Sequence, residues 1–166
     1  MKFKMRNLLI SSLILSGNLF ASSVLGFGAD ADYYAVKAEG NFEYQGNVIQ
    51  FDGGRTSSYQ VGLYFEHPVP LMPNFRVDLT PETSFSGTGS GSVRFKQMDI
   101  TPYYELVDII VDLDVGVTLK FLDGSLINTA NTQFNEIIPM GYVAFKTGIP
   151  LTDLLLDGQW KYIWYA

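Results

Sequence analysis

Between Ile109 and Phe121 the chain alternates without a break. Ile109, Val111, Leu113, Val115, Val117, Leu119 and Phe121 share one parity, and Asp112, Asp114, Gly116, Thr118 and Lys120 share the other. A β-strand sends successive side chains to opposite faces, so a period of two builds one apolar wall and one wall rich in charge. Strands of ordinary domains centre on about 5–6 residues, whereas a tilted strand that crosses a bilayer needs about 9–11. The alternation therefore predicts a strand made for a membrane.

The N-terminus predicts which membrane. Lys2, Lys4 and Arg6 precede an uncharged apolar stretch from Leu8 to Phe20, and Leu19, Phe20 and Ala21 form an imperfect small-residue cleavage site. That is the layout of a secretory signal peptide over residues 1–21, cleaved after Ala21. An uncleaved inner-membrane anchor is the rival reading. Such a helix wants about 20 apolar residues, and Ser11, Ser12, Ser16, Gly17 and Asn18 interrupt this run.

Taking 21 residues from 166 leaves 145, a single domain over residues 22–166. Removing Lys2, Lys4 and Arg6 from 11 basic residues leaves 8 against 17 acidic ones, a net charge of −9. A nucleic-acid partner is not expected, because phosphate binding needs a basic footprint. The absence of cysteine excludes disulfides, thiolate metal sites and cysteine nucleophiles. No segment after the leader approaches a helical span, so the chain can cross a bilayer only as strands. Open edges in lipid would leave amides and carbonyls unpaired, which demands a closed sheet.

Strands are predicted at Val24–Tyr34, Ser57–Glu66, Phe75–Thr80, Val93–Leu106, Ile109–Phe121, Glu136–Thr147 and Leu154–Tyr165. The Gly- and Asn-rich stretch 36–56 reads as a long loop, and Ser84–Ser92 and Asp123–Asn135 as two further polar loops. Short turns fall at Val107–Asp108 and Gly148–Asp153, and the prolines of His67–Asn74 turn the chain as well. Pairing Phe65 with Val77 would set Glu66 beside Arg76. In Val93–Leu106 the apolar parity slips, which predicts a β-bulge near Lys96 and Gln97, and Pro102 counts against an interior strand. Tyr33, Tyr34, Tyr103, Tyr104, Trp160, Tyr162, Trp164 and Tyr165 lie near strand ends, as aromatic girdles would.

Two blocks carry a resemblance. Tyr64-Phe65-Glu66-His67-Pro68-Val69-Pro70-Leu71-Met72-Pro73-Asn74-Phe75-Arg76-Val77 resembles a hairpin of a family of small Gram-negative outer-membrane β-barrel proteins. Tyr103-Tyr104-Glu105-Leu106-Val107-Asp108, Leu113-Asp114-Val115-Gly116-Val117-Thr118 and Phe121-Leu122-Asp123-Gly124 are similar to its next hairpin, and Ile138-Pro139-Met140 to its sixth strand. The resemblance implies an all-β, antiparallel up-and-down transmembrane β-barrel in the cell outer membrane, without a defined activity. About seven strands are present where the family is expected to have about eight to ten, and single-chain barrels use even counts, so the domain is expected to be incomplete at its C-terminus.

Arg76, Asp78, Glu105, Asp112, Asp114, Lys120 and Lys161 all fall on the polar parity and are expected to face the lumen. They could select ions, or they could fill the interior with cross-lumen salt bridges. The second is expected, since narrow barrels of about eight strands are filled by side chains and open channels come at about 16. His67, the one histidine, lacks partners for catalysis, and the glycine runs lack the Lys-Ser or Lys-Thr of a phosphate loop. The expected protein is therefore not an enzyme and uses no cofactor or metal. Its expected partners are outer-membrane lipids, lipopolysaccharide and the barrel-assembly machinery. A soluble periplasmic lipocalin-like binder of apolar ligands is the alternative and would invert the two faces, since parity alone does not say which wall points outward. A narrow pore or a membrane enzyme ranks below it.

Overall fold

The computed structural model describes residues 6–21, 25–69, 71–88, 91–108, 111–128, 131–148 and 155–163, with backbone alone for 6–21, 107–108, 148 and 155–157. Among these residues there is no helix. Eight strands follow in chain order: β1 (Arg6–Ala21), β2 (Gly26–Tyr44), β3 (Asn47–Glu66), β4 (Asn74–Ser86), β5 (Ser92–Asp108), β6 (Val111–Ile127), β7 (Asn131–Gly148) and β8 (Leu155–Tyr162). Each pairs antiparallel with the next, so the spatial order is the sequence order. The sheet curls into a half-barrel, and among the described residues no ladder joins β8 back to the first strands.

Residues 6–21, assigned from sequence to an export leader, are laid against β2 as a strand, from Leu9 opposite Glu39 to Ala21 opposite Phe27. A short apolar run broken by serines suits an extended ribbon as well as a leader core, because its periodicity does not separate the two.

The strands are longer than the sequence suggests. Residues 36–56 are not a loop: β2 and β3 pair from Gly26 with Glu66 up to Tyr44 with Asn47, and only Gln45 and Gly46 turn the chain. Both have positive φ, 50° and 80°, the left-handed pair of a tight hairpin turn. Gly40 and Asn41 sit within the ladder. Gly53, at φ 93°, forms a bulge with Gly54 opposite Ala38. The predicted loop Asp123–Asn135 is likewise mostly strand, with Asp123 paired to Asn135 and Ile127 to Asn131. The predicted loop Ser84–Ser92 shrinks to residues 87–91. Val107 and Asp108 belong to β5 rather than to a turn, and Ile109 lies outside the described residues. The loops predicted at 36–56, Ser84–Ser92 and Asp123–Asn135 thus give way to short connections at one end of the sheet, and His67–Pro73 at the other end is longer than any of them.

Replacing Gly46 by alanine is expected to lower stability by about 1 kcal/mol, the cost of a Cβ in the left-handed region, read from a denaturant midpoint. Space is not the reason, since nothing stands within 4 Å of that Cβ.

Two register details also differ. Phe65 faces Phe75 and Tyr64 faces Arg76, so Glu66 lies past Arg76 and instead accepts a 2.9 Å hydrogen bond from the Tyr103 hydroxyl. The bulge expected near Lys96 and Gln97 sits on the opposite strand, at Pro81 and Glu82 of β4. β5 keeps phase from Val93 to Tyr103, with Val93, Phe95, Gln97, Asp99, Thr101 and Tyr103 all pointing inward, and its own irregularity comes at Leu106, between Glu105 and Val107 in the ladder with β6. Pro102 occupies an interior strand after all, opposite Phe75.

What looked like a phase slip is a change of chemistry along one face. Near the Gln45–Gly46 end, hereafter the upper end, the inner face is apolar. Phe42, Ile49, Phe85, Val93, Leu126 and Phe134 pack there in a buried cluster, and Phe42 and Tyr44 meet Phe134 across the curl at ring distances of 5.9 and 5.6 Å. The outer face at that level carries Lys37, Glu43, Gln50, Arg94, Lys96, Asp123 and Asn135. In the lower half the two faces exchange character. Asp30, Asp78, Asp99, Thr101 and Thr118 are buried inside, while Phe27, Leu63, Leu79, Val117, Ile137 and Trp160 are exposed outside.

Candidate functional site

The lower interior holds a chain of six charges drawn from five strands. Arg76 of β4 grips Asp30 of β2 through two contacts, Nη1 to Oδ2 at 2.7 Å and Nη2 to Oδ1 at 2.8 Å, the bidentate fit of guanidinium to carboxylate. Its Nε donates to Asp78 Oδ1 at 2.7 Å. Lys161 of β8 joins Asp78 Oδ2 at 2.8 Å to Asp99 Oδ2 of β5 at 2.5 Å. Lys120 of β6 stands 3.1 Å from Asp99 Oδ1, close enough for the charges but not aligned for a hydrogen bond. Three carboxylates thus alternate with three cations, and the set is neutral.

Local sequence makes this possible. Strand parity aims Asp30, Arg76, Asp78, Asp99, Lys120 and Lys161 inward. Asp30 and Arg76 are two strands apart, and the residue of β3 between them is Gly62, where a Cβ would collide with both side chains. Glycine here clears the space over which the pair forms. The curl of the sheet supplies the remaining reach, carrying Lys161 across the concave side to β4 and β5.

Hydroxyls pack around the charges. Thr101 and Thr118 share a fully buried hydrogen bond of 2.8 Å, and Ser58 and Thr83 share one of 2.6 Å. Gln97 donates to Thr80 at 3.2 Å. Below the network the Tyr103 and Tyr142 rings lie 5.9 Å apart, both buried.

Of the residues singled out from sequence, Arg76, Asp78, Lys120 and Lys161 meet in this network. Asp114 is half-buried toward the lower end, beside Glu105 in the register. Asp112 pairs in register with Lys146 and Asp108. Glu105 is exposed and outside the network. Asp30 and Asp99 were missed as members, although parity places both on the polar wall. Tyr34 and Tyr103, read as interface aromatics, point inward, whereas Tyr33, Tyr59, Tyr104, Trp160 and Tyr162 are exposed outside. Trp164 and Tyr165 lie outside the described residues.

His67 is engaged in its own turn. Its Nδ1 accepts from the Val69 amide at 3.2 Å, which leaves the proton on Nε2 to donate to the Pro73 carbonyl at 3.0 Å. Among the described residues no group of His, Asp or Glu side chains converges as a metal site. What the inner arrangement does chemically is fill and neutralise the concave face with fixed charges. Comparison with protein-family models, with curated proteins and with solved structures returns no match.

Proposed function

We propose that this chain is an integral outer-membrane β-barrel protein with a structural role, its interior closed by the ion-pair network rather than open as a channel. The observation that carries this reading is the apolar belt on the outer face, directly behind the charged inner face. The belt runs without a gap through the register, from residues 27–35 of β2 to 111–121 of β6 and 137–145 of β7. Each of these segments has the length, about 9–11 tilted residues, that crosses hydrocarbon.

Water on both sides would leave this belt as an exposed apolar surface far larger than soluble monomers tolerate. A binder of apolar ligands would need the reverse arrangement, with the apolar wall inside at this level. The likeness of residues 64–77 and 103–124 to the outer-membrane family supports the same reading. In lipid the free edges of the half-barrel must find partners, so the sheet closes there. The expected surroundings are outer-membrane lipid and the assembly machinery that inserts such barrels.

Single cysteines can be placed freely, because the chain has none. Expressed in full in a Gram-negative cell, cysteines at Leu63 or Val143 are expected to resist a water-soluble maleimide in intact envelopes, and one at Glu43 to react. Release of the protein in a periplasmic extract, with Leu63 freely labelled, would overturn the reading.

A further inference from the structure

Among the described side chains, the lysines and arginines of the outer face are Lys37, Arg55, Arg94 and Lys96. All four lie within two outward positions of the belt's upper edge. Lys37 and Arg55 sit directly opposite one another, an arrangement that repels unless an anion lies beside it. Two of the four are already answered, Lys37 by Glu39 and Lys96 by Asp123 at 3.1 Å. Arg55 and Arg94 are exposed and make no ion pair among the described residues.

These two arginines stand on either side of β4. Arg94 pairs in register with Ser84, and Thr56, the neighbour of Arg55, donates from its hydroxyl to the Ser84 carbonyl at 2.9 Å. Arg94 is thus one ladder step from Ser84, and the Thr56 contact brings β3 beside the same residue, whose side chain is exposed on the outer face. A guanidinium presents a planar fork of donors that matches phosphate oxygens, and two forks flanking a hydroxyl form a cradle for a phosphate-bearing group. Glu82, at the β4 bulge, is the outward carboxylate on the strand between them and opposes such binding.

We propose that Arg55, Ser84 and Arg94 bind the phosphate headgroup of an anionic membrane lipid at the upper edge of the belt. This rests on the membrane reading above and adds the lipid class and the site. A free phosphate does not meet the same description, because the cradle lies where a lipid's chains can follow the belt while its headgroup meets the arginines.

The test is titration of the full chain in neutral-detergent micelles with phosphatidic acid, bound lipid being counted by native mass spectrometry. Arg55→Ser combined with Arg94→Ser is expected to weaken retention by roughly thirtyfold, the effect of removing two cations from an anionic surface. Glu82→Gln is expected to tighten it, and phosphatidylcholine to show no preference between parent and variant. The double variant must keep the parent's melting profile and unboiled gel mobility, which separates lost binding from lost fold. Equal retention by parent and double variant would overturn the proposal, as would displacement of the lipid by an equal concentration of inorganic phosphate. If the protein fractionates with outer membranes but ignores phosphatidic acid, this inference falls and the membrane reading stands. If it never enters membranes, both fall.

Discussion

Arg76→Met is expected to cost about 3–5 kcal/mol of folding stability, the usual effect of removing one partner from a buried ion pair. The substitution keeps most of the side chain's bulk but strands two carboxylates. Asp30 loses both of its guanidinium contacts, and Asp78 retains only Lys161. Burial makes the loss large: the side chains of Arg76, Asp30 and Asp78 are 12%, 9% and 1% exposed, so water cannot take over. The measurement is urea unfolding in lipid vesicles, followed by the difference in gel mobility between folded and boiled protein. Adding Asp30→Asn to Arg76→Met restores neutrality and is expected to recover part of the loss. A stability change below about 1 kcal/mol for Arg76→Met would mean that the network behaves like surface ion pairs, and the closed interior would lose its basis.

Val117→Arg is the complementary experiment on the other face. Val117 is exposed on the outer side of β6, next in sequence to the fully buried Thr118. A cation there is expected to lower stability in bilayers by about 2–4 kcal/mol if the position lies near the midplane of the hydrocarbon. Ser125→Arg, on the same face above the belt, is expected to be close to neutral. A soluble protein would behave differently, because arginine at an exposed strand position is tolerated in water and both variants would then be harmless. Unfolding curves in vesicles for the two variants give the comparison directly. Equal stabilities would sink the membrane reading whatever the inner network does.

How much of this was legible beforehand depended on what each residue needed for its meaning. The alternation of β6 was plain because Asp112, Asp114 and Lys120 contrast with Val111, Val115 and Leu119 over the whole apolar segment. The upper part of β2 alternates as strictly, with Val36, Ala38, Phe42 and Tyr44 inside and Lys37, Glu39, Asn41 and Glu43 outside. The turn formers Gly40, Asn41, Gly46 and Asn47 mask that alternation in the sequence, and of the four only Gly46 turns. In β5 the pattern misled for a different reason: reading the apolar side as always the same face turned an inward run of Val93, Phe95, Gln97 and Asp99 into a shift of phase. Membership of the network was half visible. Parity supplied the inward direction of Arg76, Asp78, Lys120 and Lys161. That Lys161 would bridge Asp78 and Asp99 depends on curvature between strands remote in sequence, which no local pattern encodes. The gap at Gly62 had no signal at all until its neighbours were in place.

The exchange of character between the two faces falls on one register row through β5, β6 and β7, where Met98 gives way to Lys96, Phe121 to Asp123 and Ile137 to Asn135. Met98, Phe121 and Ile137 are neighbours in the register, as are Lys96, Asp123 and Asn135. Like the painted waterline of a hull, this row leaves the molecule one draught at which it floats without penalty. Sinking by a single pair of residues would drag ionised groups into oil, and rising by the same amount would lift greasy ones into brine. The vertical seat of the protein is therefore written into its own ribs, independently of anything that grips it from either side.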